Sequence, residues 1–142
     1  MNMTRLRNAV LLCIASILAV TPLLTGCSGG EEEAKALKVG YSICYTGAAA
    51  EKGRPMGDGK LDCFKYINEE LGGVSGQQVE VIWRDNQYDA AKATTIVNEF
   101  IDSGCLLFTT CSSKMMMASA EVANRAEFPG FAVFSSPILT NP

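Results

Sequence analysis

The stretch Ala36–Cys44 (ALKVGYSIC) and three later counterparts, Gln78–Trp83 (QVEVIW), Cys105–Thr110 (CLLFTT) and Gly130–Ser135 (GFAVFS), decide how this chain folds. Each is a short apolar run of the length and composition of a strand buried on both faces. Helical windows separate them. Pro55 suits the first turn of a helix running to about Leu71, with Met56, Cys63, Phe64, Ile67 and Leu71 near 3.6-residue spacing, and Gly72-Gly73 stops it. Asp89 caps a second helix to about Ser103, whose Ala93, Ile96, Val97, Phe100 and Ile101 share one face, and Gly104 ends it. Ser112 or Ser113 caps a third, to about Ala126. The order βαβαβαβ predicts an α/β fold: right-handed crossovers give a doubly wound parallel sheet with helices on both faces. The ligand crevice of such a sheet lies beyond the carboxyl ends of its strands. Three loops qualify, at residues 45–54, 110–113 and 135–142. Each offers small or hydroxylated residues that let a solute approach the backbone.

Composition narrows the chemistry. The chain has 142 residues with 12 Lys+Arg, 15 Asp+Glu and no histidine, enough for one ordinary domain. Without histidine there is no Ser-His-Asp triad, Cys-His pair, imidazole base or His-ligated metal. A net charge of −3 argues against nucleic acid as a partner, because displacing counterions from phosphates needs a basic footprint. Residues 53–59 (GRPMGDG) do not supply the G-x-G-x-x-G of a dinucleotide enzyme, and Thr109-Thr110 stands where a phosphoacceptor receiver domain needs an aspartate. No metal or cofactor is expected. Cys44, Cys63, Cys105 and Cys111 lack C-x-x-C spacing, and Cys63 and Cys105 read as small hydrophobes. Consecutive Met115-Met116-Met117 point in different directions on a helix, so they read as core filling. Glu69-Glu70 and Asp85 are near-paired carboxylates that approach no predicted cleft. Catalysis has no candidate residue.

The N-terminal segment reads as an address. Arg5 and Arg7 form a positive region and Ala9–Leu24 an uncharged apolar run interrupted by Pro22, short for a bilayer span of about 20 residues. Leu24-Thr25-Gly26-Cys27 resembles the lipobox of bacterial lipoproteins, which implies cleavage after residue 26 and lipid on Cys27. The exported part would carry 10 basic against 15 acidic residues. Residues 27–35 then form the lipidated cysteine and a tether (SGGEEEAK after Cys27) with no large apolar side chain to bury. The expected location is the bacterial cell membrane, facing the periplasm or exterior.

From residue 36 onward the motifs carry a family resemblance. Lys38-Val39-Gly40, the run Thr46–Gly53 (TGAAAEKG), Ile67-Asn68, Gly72-Gly73-Val74, Gly76, Asp85-Asn86-Gln87, Ala91-Lys92-Ala93, Ser112-Ser113, Ser136-Pro137 and Thr140-Asn141-Pro142 resemble type I periplasmic solute-binding proteins. The branch includes receptors for branched-chain amino acids, amides and urea. The resemblance implies a clamshell that holds a small solute, such as an amino acid or amide, for an ABC permease. A lipid-anchored sensing domain feeding a receptor is the alternative. It also implies strand order 2-1-3-4, with residues 36–142 forming part of the N-terminal lobe and the second lobe missing, so that a truncated product binding no amino acid at micromolar affinity is expected. Carried onto this chain, Ser112 matches a serine that holds an amino acid carboxylate, with Ser113 beside it. Ile138 matches a backbone carbonyl contact and Thr140 a hydroxyl contact to the ammonium. Lys52 falls where the branched-chain receptors often place an aromatic, a departure that suits a more polar or acidic solute. In the implied strand order, strands 1 and 3 are neighbours, so Cys44 and Cys111 either form a disulfide or remain two buried free thiols. Some relatives pair a cysteine at the Cys111 position with one after strand 2, but residues 85–89 contain none.

Overall fold

The computed structural model describes residues 35–134 and 136–140. The signal segment, Cys27 and nearly all of the tether lie outside the described residues, as do Ser135, Asn141 and Pro142. The elements are β1 (Leu37–Ile43), α1 (Ala50–Glu69), β2 (Val79–Asp85), α2 (Ala90–Asp102), β3 (Leu107–Thr110), α3 (Ser113–Arg125), β4 (Gly130–Ala132) and α4 (Pro137–Thr140). All four strands are parallel, in the order β2-β1-β3-β4. This is the doubly wound α/β sheet that the sequence predicts.

Alternation along β1 sorts the layers. Tyr41 and Ile43 are fully buried and face α1, where the Tyr41 hydroxyl donates to the Met56 carbonyl (3.4 Å) and Ile43 lies against Gly57. Burial, with the nearby Asp58 charge, pushes the Tyr41 phenol up. Lys60 on α1 donates to the Thr109 hydroxyl (2.8 Å) and stands 4.8 Å from the Tyr41 ring centre. The opposite face is the larger core, where Ile96, Val97 and Phe100 of α2 meet Phe108 of β3 and Met116 and Ala123 of α3. Met115 and Met116 are buried and Met117 is exposed, as their directions on the helix require. Cys105 is buried, which raises its thiol pKa.

The structure departs from the sequence reading along α1 and at β4. The first helix begins at Ala50, so Pro55 lies inside it, past the first turn. The helix tolerates the lost N–H because its N-terminal half is held against β1: a Cβ on Gly57 would stand 2.7 Å from the Ile43 side chain, and one on Gly53 would strike the Cys44 carbonyl. The same close seat leaves the other half of α1 away from the sheet. Phe64 and Ile67 are only half-buried, and Cys63, read as a buried small hydrophobe, is exposed at the edge of an apolar groove of about 460 Å³. β4 ends at Ala132 instead of Ser135. With β3 on one side and no described strand on the other, it stays short and exposed, and Phe131, Val133 and Phe134 are open to solvent.

Because the obstacle at Gly53 is a backbone carbonyl, Gly53→Ala should lower the unfolding free energy by about 1–3 kcal/mol. Gly59→Ala on the same helix meets nothing within 4 Å and should raise it by about 0.5–1 kcal/mol. Urea unfolding of the two variants checks the pair. Equal effects would show that α1 is not packed this closely.

Candidate functional site

The chain leaves β1 at Cys44, and three groups fix its path. Cys44 forms a disulfide with Cys111, the first residue after β3, with Cα atoms 6.5 Å apart. Parallel pairing of Ser42 with Thr110 brings the two strand ends level, which is why residues 67 positions apart meet. A cross-link closing a loop of that length removes unfolded-state entropy worth roughly 4 kcal/mol in the chain-entropy account. Around it, Ala93 and Met115 complete a small core with Ala49 and Tyr88 packed on it.

The second group is Asp85, at the end of β2. Its carboxylate accepts from the Tyr45 amide (2.9 Å), the Thr46 amide (3.1 Å), the Thr46 hydroxyl (2.5 Å) and the Gln87 amide (3.0 Å). Arg54 donates to the Tyr45 carbonyl from the other side (2.8 Å). Burial opposes ionisation of Asp85, but the hydrogen bonds from Thr46, Gln87 and Tyr45 outweigh it and hold its pKa below the ordinary carboxylate range. Asp85 is not among the residues that line the cleft described below, in keeping with the sequence reading. It is the residue that orders the loop after β1. Its position after an apolar strand and before Asn86-Gln87 was the available signal.

The third is backbone contact between loops. Gly47 has φ +81°, and a Cβ there would strike the Gln87 carbonyl, while Gln87 and Tyr88 are themselves left-handed (φ 55° and 61°). Buried Asn86 holds that turn: its amide donates to the Ser42 hydroxyl (2.8 Å) and its carbonyl accepts from the Tyr88 N–H (2.9 Å).

These constraints open a cleft of about 270 Å³ at the carboxyl end of the sheet. The loop after β1 and the start of α1 contribute Ala49, Lys52, Gly53 and Met56; the β3 end contributes Cys111, Ser112 and Ser113; Phe134 follows β4. Two of the three loops expected from the sequence, 45–54 and 110–113, therefore line one cleft, joined by Tyr88 after β2; of the third, 135–142, no described residue lines it, and Phe134 just before it does. Ser112 is the N-cap of α3 and accepts from the Lys114 amide (3.2 Å), which leaves its hydroxyl proton free to donate into the cleft. Lys52 and the two serines are thus brought together. The segment of Ile138 and Thr140, expected as a loop, winds into the single helical turn of α4, and the side chains of both residues lie outside the described ones. Tyr88, Met56 and Phe134 were not singled out from the sequence. Their apolar character is ordinary for core residues, and only the loop paths turn them toward the cleft.

A family profile described as periplasmic binding protein matches residues 36–141. The chain belongs to that family, and its sheet matches the N-terminal lobe of the type I members. Among solved structures, the chain is similar to the branched-chain amino acid transporter substrate-binding protein LivJ of Streptococcus pneumoniae, in complex with isoleucine: 25% identity and a TM-score of 0.65 over 69% of this chain and 28% of that one. A putative branched-chain amino acid ABC transporter of Rhodospirillum rubrum shows 28% identity and a TM-score of 0.63 over 68% and 28%. A fatty acid ABC transporter substrate-binding protein of Thermomonospora curvata shows 25% identity and a TM-score of 0.62 over 70% and 25%. The chain thus covers between a quarter and three tenths of each. No curated protein matches it. Membership implies an extracytoplasmic location and a binding, non-enzymatic role for the family.

The Asp85 geometry sets a pH dependence. A carboxylate whose folded pKa is depressed adds stability above its unfolded value of about 3.9, and loses it as pH falls through the folded value. Asp85→Asn should cost about 1 kcal/mol at pH 7, modest because the group is partly solvated. The gap from the unsubstituted protein should close below pH 4. Urea midpoints at pH 7, 4 and 3 measure it, and a constant gap would count against the charge-assisted clamp.

Proposed function

We propose that the protein is an extracytoplasmic solute-binding lipoprotein of an ABC importer, with amino acids or related small polar solutes as its ligands. The observation that carries this is the convergence of the loops after β1, β3 and β4 on one cleft. There the α3 N-terminus presents the Ser112 and Ser113 hydroxyls and its free amides to a carboxylate, with the helix dipole favouring the negative group. Ile138 and Thr140 would meet the ammonium through a carbonyl and a hydroxyl, and Lys52 sits over the solute. Tyr88, Met56 and Phe134 supply apolar surface for the remainder. The solved relatives named above, which their descriptions give as transporter components, support the transport reading. The residues described here form one wall of a clamshell. A solute on one wall keeps much of its water, so the affinity of this chain alone should be roughly millimolar. Cys27 carries the lipid that holds the protein at the membrane, and the lipobox match at Leu24–Cys27 supports that part.

Titration of the isotopically labelled chain with L-leucine, L-serine and L-glutamate, followed by amide NMR, tests the site. At least one should shift the Lys52, Ser112 and Ser113 amides saturably. Ser112→Asp keeps the helix cap but sets a charge against the carboxylate, and should weaken that binding at least several-fold. Shifts elsewhere, or none, would refute the site. For the anchor, Cys27→Ala should abolish incorporation of a labelled fatty acid in a bacterial host and move the product out of the membrane fraction. Unchanged labelling would exclude Cys27 as the lipid attachment point.

A further inference from the structure

The charge around the cleft is unusual for a site meant to hold a neutral zwitterion. Lys52 is the one charged side chain among the described residues that line it, and it is exposed with no carboxylate beside it in the lining. Glu51, the acid next to it in the first turn of α1, is not among the lining residues. A lysine in the first helical turn is also placed against the helix dipole, which favours anions there. The N-terminus of α3 adds a second positive end at the same cleft. Lys114 adds a third source, its ammonium 4.7 Å from the centre of the Tyr88 ring that forms part of the wall. Asp85, at the end of β2, is occupied by four hydrogen bonds to the loops themselves. A chain with more acidic than basic residues has therefore gathered positive potential at the end of its sheet.

We propose that the solute is anionic: a small molecule with a second carboxylate, or an equivalent acidic group, beyond the one received at Ser112, with Lys52 as the residue that selects it. This rests on the binding reading given above and narrows its ligand class. One end of the solute meets the hydroxyls and amides at the start of α3. The other meets the Lys52 ammonium across the cleft mouth, where a charged pair in partly solvated surroundings discriminates modestly.

L-Glutamate and L-glutamine are near-isosteres that differ by one charge, so NMR titration of the full chain with each, and with L-leucine, isolates the effect. At low ionic strength glutamate should bind roughly three- to tenfold more tightly than glutamine, and the ratio should shrink in 0.5 M salt. Lys52→Met keeps a good helix former at an exposed position and should bring the ratio close to one while the Ser112 and Ser113 amides still shift. Glutamine or leucine binding as well as glutamate would overturn the anionic class and leave the binding site standing. A ratio that survives Lys52→Met would overturn the role of Lys52. Absence of cleft shifts with all three ligands would overturn this inference together with the binding reading.

Discussion

The contact between Gly53 and the carbonyl of Cys44 is the constraint on which the rest of this molecule depends. With no side chain between helix and strand, the N-terminal half of α1 sits directly against the end of β1. The loop between them is consequently short and turns sharply through Gly47. Lys52, one residue before the contact, is carried to the mouth of the cleft, and Cys44 is held where Cys111 can reach it. A helix with Pro55 inside it and glycines at 53, 57 and 59 has weak intrinsic propensity. It is helical because the sheet holds it, so its stability and the position of the loop are the same property.

Around that contact the molecule orders its loops with backbone-directed bonds. Asp85 collects three amides and a hydroxyl, Asn86 ties the next turn to Ser42, and Arg54 holds the Tyr45 carbonyl. The polar groups of the loops are largely satisfied by the protein, and the side chains left to face the cleft are Lys52, the serines and a few apolar residues. Preorganisation of this kind lowers the ordering cost that a small solute would otherwise meet. It also separates the roles of charge: Asp85 is occupied in structure, and the cationic and dipolar groups are those proposed to meet a ligand.

The two faces of the sheet differ in how well they are covered. The α2 and α3 side is a closed core built on Phe100 and Phe108, whereas the α1 side opens into an apolar groove beyond the glycine contact, with Phe131 and Leu106 exposed along it. The cleft lies at the end of the sheet where the disulfide joins β1 to β3, so the best-braced part of the fold carries the residues proposed to bind.

The sequence by itself determined the element order, the parallel sheet, the Asp89 cap, a serine cap at 112 or 113, and two of the loops that line the cleft, those after β1 and β3. Those features follow from local composition: apolar runs of strand length, side-chain oxygens that cap helices, and glycines where chains turn. It did not reveal that α1 begins at Ala50, that Cys63 is exposed, or that Asp85 clamps the first loop. Each of these depends on what another segment places nearby. A glycine reads as a helix breaker until a carbonyl is found where its Cβ would be, and an aspartate after a strand reads as solvated until two amides of a loop 39 and 40 residues earlier are found pointing at it. Tertiary structure alone decided them, because close approach and hydrogen-bond direction are properties of pairs of segments, and no single segment encodes its partner.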